Sequence, residues 1–225
     1  MKQFWIWGSW RSSSLTEQQL LVATTNPGKA REIKKLLAGL NIRIESLGDY
    51  PDFGQFEEKG RTFEENSRGK AMFYSQKYPG LVLAEDSGLE VEALQGKPGV
   101  FSARFSGRQA TDEKNIKKLL KLMKNIPDQN RKARFICVVS LARQGKILKV
   151  YRGELKGRIL PEPRGQNGFG YDPVFFYPPL RKTLAEMTTE EKNKISHRGR
   201  ALRKVRAYLE RLKAKNSGFR SLSFL

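Results

Sequence analysis

The sequence predicts an α/β fold built on a mixed β-sheet. Short strands alternate with helices in the first half of the chain, whereas two long strand-like segments, 133–143 and 147–157, follow one another in the second half. A turn at Gln144 and Gly145 separates them, which predicts a hairpin. Because the order of strands and helices is mixed, a mixed sheet is favoured over a regularly doubly wound one.

Hydrophobic periodicity and turn residues predict the other elements. Strands are expected at 20–24, 42–47, 81–84, 89–91 and 173–177, and helices at 30–40, 62–77 and 112–124. Two capping boxes, Thr62 with Glu65 and Thr188 with Glu191, mark helix starts. The second is expected to open one long C-terminal helix, whose apolar stripe consists of Ile195, Leu202, Val205, Leu209 and Leu212.

The length and composition predict one domain. The 225 residues are enough to bury a full core, and we expect a domain over 20–215, a poorly ordered extension over 1–19 and a tail over 216–225. No apolar run approaches the roughly 20 residues of a membrane span. The single cysteine, Cys137, excludes an internal disulfide and favours a cytoplasmic location.

Basic residues outnumber acidic ones by 43 to 23, and the formal net charge is +20. The run from Lys192 to Lys215 is the most basic part of the chain, and Glu210 is its single acid. Such a run is typical of a surface that binds nucleic acid or polyphosphate. It is equally typical of the solvated face of a helix, so nucleic acid stays a candidate partner and no more.

The segment 81–89 is the most informative in the chain. An apolar run ends at Glu85 and Asp86, which Ser87 follows, and acids beside a core need a metal ion or hydrogen-bond donors. Together with Glu58 these carboxylates are candidate ligands of Mg²⁺, which takes hard oxygen ligands and shares substrate phosphates. One of them can instead act as a general base toward water. A plain turn is the alternative interpretation.

Two further segments suit an anion. The first is a turn between a strand and a helix, and it consists of Thr24, Thr25, Asn26, Pro27, Gly28 and Lys29. The N–H groups at a helix N-terminus favour anions, although a structural turn explains the same residues. On the next helix Asn66 and Lys70 share one face, where an amide and an ammonium group can hold phosphate oxygens.

A third set of residues favours a flat nucleobase. The glycine-rich segment 168–173 carries the rings of Phe169 and Tyr171, and aromatic rings stack on bases. His197 and Arg198 are adjacent, and arginine is only a donor, which favours a ring carbonyl at position 6 over an exocyclic amine. Simple packing is the alternative for a lone histidine.

In order and spacing, these segments resemble the inosine triphosphate pyrophosphatase family, the pyrophosphatases of non-canonical purine nucleoside triphosphates. The matching segments are 23–29, 63–66, 84–89, 98–104, 168–173 and 196–199. The resemblance implies an elongated mixed β-sheet with flanking helices that form two lobes around a central cleft. It also implies a homodimer and the Mg²⁺-dependent hydrolysis of ITP, dITP or XTP to the monophosphate and pyrophosphate.

The resemblance further implies a role for each matching residue. Asp86 matches the proton acceptor, and Glu58, Glu85 and Asp86 match metal-binding acids. The triphosphate contacts implied are the 24–29 turn, above all Asn26 and Lys29, with Lys70 and Ser87. The base and sugar contacts implied are Phe169, Gly170, Tyr171, Asp172, Lys182, His197 and Arg198. A pyrophosphatase of pyrimidine or modified nucleotides stays open as a second enzymatic interpretation.

Overall fold

A computed structural model describes residues 18–218, and within them seven strands form one sheet in the order β2-β1-β3-β4-β5-β6-β7. The strands are β1 (Gln18–Val22), β2 (Ile42–Ser46), β3 (Leu81–Val91), β4 (Lys132–Arg143), β5 (Lys146–Ile159), β6 (Phe175–Tyr177) and β7 (Lys182–Thr183). The helices are α1 (Pro27–Leu36), α2 (Phe63–Ser75), α3 (Asp112–Leu122), α4 (Thr189–Ile195) and α5 (His197–Gly218).

The predicted mixed sheet is confirmed. β1 is parallel to both of its neighbours, β2 and β3, whereas every pairing from β3 to β7 is antiparallel. The predicted hairpin joins β4 to β5. Both of its turn residues, Gln144 and Gly145, have positive φ, at 50° and 73°, as a two-residue turn that matches the strand twist requires.

β3 is one continuous strand, where two short strands, 81–84 and 89–91, were predicted. Its pairing with β4 runs without a break from Val82 to Val91 and includes the acidic pair. Its pairing with β1 ends at Leu83. The acidic segment of β3 therefore has a neighbouring strand on one side only, and a notch opens beside it at the carboxyl end of β1.

Apolar clusters on the two faces of the sheet give the molecule its layers. On one face, α1 and α5 cover β1, β3 and β4 through residues that include Ile33, Leu83, Val139, Leu202 and Val205. A second cluster lies further along β3 and β4 and includes Leu89, Leu119, Phe135, Leu155 and Phe175. On the opposite face α2 packs through Ala71 and Tyr74. The notch lies between the first two clusters, which form the two predicted lobes.

The C-terminal region contains two helices, not the single one predicted. The capping box of Thr188 and Glu191 is present, but it opens the seven-residue α4. Ser196 has extended backbone, with ψ of 156°, and α5 starts at the next residue. The break lets His197 and Arg198 begin a new helix that points into the notch.

The described elements extend from Gln18 in β1 to Gly218 in α5. One domain over 20–215 stays a prediction. The expectations for the remainder of the N-terminal extension and of the tail concern residues 1–17 and 219–225, outside the described residues. Between residues 18 and 218, no helix is both long and apolar enough to cross a membrane.

Several cations of the basic run have structural partners. β6 pairs only with Arg158 and Ile159 of β5, so the rest of β5 is an edge strand. Two of its outward carbonyl groups accept hydrogen bonds from α5: that of Glu154 from Arg200 at 2.9 Å, and that of Arg152 from Lys204 at 2.9 Å. Part of the surplus charge is thus used to cover main-chain acceptors.

Gly153 of β5 allows α5 to lie directly against the sheet. A Cβ at this position would fall 2.0 Å from the carbonyl oxygen of His197, a distance that no contact tolerates. We expect Gly153→Ala to lower the free energy of unfolding by about 1–3 kcal/mol, as overpacking does. Gly48→Ala is the control, because its Cβ would meet nothing closer than 3.6 Å. Equal denaturation midpoints for the two variants would contradict this account.

Candidate active site

The candidate site lies in the notch at the carboxyl end of β1, where ligands bind in open α/β sheets. The 24–29 turn crosses this end and leads into α1. The Asn26 side chain caps the helix by accepting the N–H of Lys29 at 2.9 Å, and Thr24 Oγ1 accepts the N–H of Asn26 at 3.2 Å. Pro27 occupies the first turn of the helix. Pro27 has no N–H, and Asn26 accepts those of Lys29 and Ala30. The N–H of Gly28 is therefore the one that the helix start can offer to an anion beside the acids of β3.

The two acids of β3 point to opposite faces of the sheet, because successive side chains of a strand alternate. Glu85 faces α1 and α5, while Asp86 faces α2. Among residues 18–218, no group of three or more His, Cys, Asp or Glu side chains is arranged to hold a metal ion. The prediction that Glu58, Glu85 and Asp86 form one ligand set thus has no support in the geometry.

Glu85 is the centre of a buried ion network. It is 1 % exposed, and Arg198 donates to both of its oxygens, through Nε at 2.8 Å and a terminal nitrogen at 3.2 Å. Lys29 Nζ lies 3.0 Å from Oε1, and the Cys137 thiol contacts Oε2 at 3.1 Å. Burial alone would raise the pKa of Glu85, but the charges of Arg198 and Lys29 hold it well below its usual range.

Arg198 extends the network toward α1 and α4. Its other terminal nitrogen donates to Glu32, and a further bond at 3.0 Å reaches the hydroxyl of Ser87. Glu32 in turn binds Lys192 Nζ at 2.8 Å, and Lys192 also binds Asp172. All of these groups except Ser87 are less than 10 % exposed. The guanidinium that was predicted to read a base is therefore already held by two carboxylates and a hydroxyl.

On the opposite face, Asp86 is fixed by α2. Asn66 Nδ2 donates to Asp86 Oδ2 at 2.8 Å, and Asn66 Oδ1 accepts the N–H of Gly60 at 2.7 Å. The amide thereby ties the loop that carries Glu58 to β3. Burial, and then the charge of Glu58, raise the pKa of Asp86 to about 6, against the hydrogen bond from Asn66.

Lys70 lies between these two acids. Its ammonium group forms an ion pair with Glu58 and donates to the main-chain oxygen of Glu85 at 3.1 Å. Arg104 also donates to the main-chain oxygen of Glu58, at 3.1 Å. The sequence-based expectation that Asn66 and Lys70 act from one helix face thus agrees with the geometry.

A cavity of about 90 Å³ joins the residues predicted to contact the triphosphate with those predicted to contact the base. Its lining includes Asn26, Lys29, Ser87, Phe169, Gly170, Tyr171, Asp172, Lys192, His197 and Arg198. The Phe169 ring forms one wall, packs near Gly28, and lies 4.5 Å from Lys192 Nζ. Tyr171 donates to the carbonyl oxygen of Ser102 at 2.9 Å, which fixes the glycine-rich segment to the body of the protein.

His197 lies at the back of this cavity. Its ring stacks on Phe135 at 4.7 Å between centroids with an interplanar angle of 10°. Burial, and then the charge of Arg198, lower its pKa well below the usual value, so the imidazole is neutral. Its Nδ1 is buried and has no hydrogen-bond partner among the described residues, which leaves that atom for a ligand.

Lys182 is not in the cavity, contrary to the prediction. It lies in the short β7 and pairs with Glu191 at 3.3 Å, with both side chains more than 40 % exposed. Lys192 lines the cavity instead, and Glu32 binds it within the ion network; sequence reasoning missed both. The available signal was position: Glu32 is one turn after Lys29, and Lys192 is five residues before His197.

Comparison with known proteins identifies the family. The Ham1 family profile matches residues 20–208. The chain belongs to the Ham1 family. A relative named dITP/XTP pyrophosphatase from Thermoanaerobacter pseudethanolicus is 50% identical over 198 residues, which are 88% of this chain and 100% of the relative. Another of that name, from Geobacter sulfurreducens, is 49% identical over 191 residues, 85% of this chain and 96% of the relative.

Solved Ham1 structures share the fold. The Ham1 protein from Coxiella burnetii superposes with a TM-score of 0.79 at 38% identity, over 86% of this chain and 99% of its own. The Staphylococcus aureus Ham1 protein gives a TM-score of 0.77 at 39% identity, over 86% of this chain and 98% of its own. The sequence-based recognition of the family is confirmed.

The ion network predicts that replacing Lys192 destabilises the protein far more than replacing Lys182. Lys192→Met removes the buried cation that Asp172 and Glu32 share. We therefore expect the free energy of unfolding to fall by about 3–5 kcal/mol. Lys182→Met breaks only an exposed pair and should cost less than about 1 kcal/mol. Urea denaturation of both variants is the measurement. A Lys192→Met protein as stable as the Lys182→Met protein would refute the network's role.

Proposed function

We propose that this Ham1-family protein hydrolyses non-canonical purine nucleoside triphosphates, namely ITP, dITP and XTP, to the monophosphate and pyrophosphate. One observation carries the proposal: at the end of β1, Lys29 of α1 contacts Glu85 of β3, and its charge also acts on the adjacent buried carboxylate of Asp86. The relatives at 50% and 49% identity that are named dITP/XTP pyrophosphatases support the same reaction.

In this mechanism the phosphates lie at the start of α1. The N–H of Gly28 at the helix N-terminus and the ammonium of Lys29 attract the polyphosphate, and Lys70 approaches from α2. Ser87 adds a hydroxyl beside them. Hydrolysis of a phosphoanhydride is largely a matter of positioning and charge compensation, so these cations reduce the repulsion that an attacking oxygen meets.

Asp86 takes the proton of the attacking water. With a pKa of about 6, it is ionised at neutral pH and yet more basic than a surface aspartate, which suits a general base. Asn66 donates to Oδ2 of the carboxylate, and the N–H of Ser87 donates to Oδ1 at 2.9 Å. Both oxygens are thus held in position, and each keeps a further lone pair that can accept the water proton. The water oxygen attacks the α-phosphorus, the α–β anhydride bond breaks, and pyrophosphate leaves with the electron pair.

The residues present fit a divalent cation, and we propose Mg²⁺. Asp86 and Glu58 offer two carboxylates near one another, and Mg²⁺ is commonly bound by one or two carboxylates together with substrate phosphates. When bound, the ion would neutralise charge on the phosphates and on the leaving pyrophosphate. In this proposal Glu85 is not a ligand but the counter-charge that orients Lys29 and Arg198.

The purine would enter the cavity between Phe169 and His197. A neutral imidazole with an unpartnered Nδ1 offers one hydrogen bond to the base. The nearby guanidinium of Arg198 favours a carbonyl at position 6 over an amine, because it carries positive charge and only donors. Adenine would leave buried polar groups without partners, at a cost of about 1–3 kcal/mol per group.

Asp86→Asn tests the chemical step. The amide has the same shape and cannot accept the water proton, so we expect pyrophosphate release from ITP to fall by at least about 100-fold, the lower range for general-base catalysis. Asp52→Asn, in an exposed position away from the notch, is the control. Near-normal turnover by a folded Asp86→Asn protein would remove Asp86 from this role.

His197→Phe tests base recognition. The phenyl ring can keep the stack on Phe135 but has no ring nitrogen, so we expect kcat/KM for ITP to fall by about 5- to 150-fold, as the loss of one buried hydrogen bond would give. Turnover of ATP should change little. A panel of ITP, XTP, ATP, dUTP and dTTP measures both effects and also tests the pyrimidine alternative. An unchanged ratio of ITP to ATP turnover would contradict the assignment.

Three other expectations remain predictions. The family resemblance implies a homodimer, which light scattering on the purified protein tests. The free cysteine favours the cytoplasm. Nucleic-acid binding through the basic run predicts an affinity that falls steeply with salt, which a gel shift at two salt concentrations tests.

A further inference from the structure

The ion pair between Lys70 and Glu58 has a consequence for metal binding. We propose that the ammonium group of Lys70 is a resident counter-ion that competes with a divalent cation for the carboxylate of Glu58, and that a bound polyphosphate ends this competition by drawing Lys70 away. The inference rests on the proposed function, since it takes Glu58 and Asp86 as the cation site.

The first support is the position of Lys70. Its Nζ touches the Glu58 carboxylate and lies 3.1 Å from the main-chain oxygen of Glu85, the residue adjacent to Asp86. The ammonium thus lies where the loop and β3 approach each other. A divalent cation shared by Glu58 and Asp86 would meet this positive charge at close range, and like charges a few ångströms apart repel strongly in a half-buried site.

The second support is that groups of the protein itself hold the acids in place. Asn66 bridges Asp86 to the main chain of Gly60, and Arg104 holds the carbonyl oxygen of Glu58. Two carboxylates fixed near each other need a cation, and Lys70 is the ammonium in contact with one of them. The Lys70 side chain is 13 % exposed and that of Glu58 is 26 % exposed, so water screens the pair only in part.

The third support is the reach of Lys70 toward the phosphates. Its backbone lies on α2, but its ammonium ends at β3, and its charge and that of Lys29 both act on Asp86. A phosphate oxygen bound by Lys29 therefore offers Lys70 a new anionic partner. Glu58 then becomes free for the cation. By linkage, polyphosphate and cation each raise the affinity of the other by the same factor.

The measurement is the affinity of the nucleotide-free protein for Mn²⁺ alone, followed by electron paramagnetic resonance of the free ion. We expect Lys70→Met to bind Mn²⁺ at least tenfold more tightly than the wild-type chain. Lys70→Arg keeps the counter-ion and should bind as weakly as wild type. Arg68→Met removes one exposed positive charge from the same helix and should change the affinity by less than twofold.

A second background separates competition for Glu58 from a general electrostatic effect. In Glu58→Gln protein the ion pair is absent, so the additional change Lys70→Met should raise Mn²⁺ affinity by less than threefold. An equal gain in both backgrounds would overturn the proposal, as would no gain in Lys70→Met or no detectable Mn²⁺ binding by that variant. Circular dichroism and unfolding midpoints check that each variant is folded.

Pyrophosphate release from ITP by the wild-type protein is measured in parallel. If the wild-type protein hydrolyses ITP but Lys70→Met binds Mn²⁺ no more tightly than wild type, the counter-ion role of Lys70 is rejected and the proposed function stands. If Lys70→Met binds Mn²⁺ more tightly but the wild-type protein does not hydrolyse ITP, the proposed function is rejected and the competition between Lys70 and the cation stands.

Discussion

The contact between Glu85 and Arg198 is the interaction on which the rest of the site depends. It joins the centre of β3 to the first turn of α5, and through Lys29 and Glu32 it also includes α1. A buried ion pair is a weak source of net stability, but removing one partner is costly because the other stays charged and unsolvated. The network therefore specifies the arrangement of three elements more than it stabilises them.

The strand that carries Glu85 also separates two chemical environments. On one face, the charges of Arg198 and Lys29 keep Glu85 ionised; on the other, burial and the charge of Glu58 raise the pKa of Asp86, against the hydrogen bond from Asn66. Two neighbouring carboxylates thus have opposite pKa shifts, as sites with divided roles require. The alternation of a β-strand achieves this without any further element.

Sequence reasoning predicted most of the fold, because the hairpin, the helix caps and the apolar periodicity are local signals. It also predicted the site segments, since their order and spacing are those of a known family. It failed where the answer depended on long-range pairing. The continuity of β3 is imposed by its ladder with β4, which no local pattern around Gly88 reveals.

The same limit explains the errors at the site. Glu85 and Asp86 were taken as ligands of one cation because the strand was assumed to end before them. In a continuous strand, successive side chains point to opposite faces of the sheet. The choice of Lys182 over Lys192 neglected the position of Lys192 shortly before His197, and the partners that bury Lys192, Glu32 and Asp172, lie on other segments. Glu32 was overlooked because its partners lie on other elements.

The covered carbonyl groups of β5 bear on how the molecule behaves at high concentration. A long strand with one open side is a template on which another polypeptide can add, and that route leads to fibrous or amorphous deposits. Here an incoming chain would have to displace the side chains of Arg200 and Lys204 before it could pair. Some of the +20 charge thus protects colloidal stability, whatever else it does.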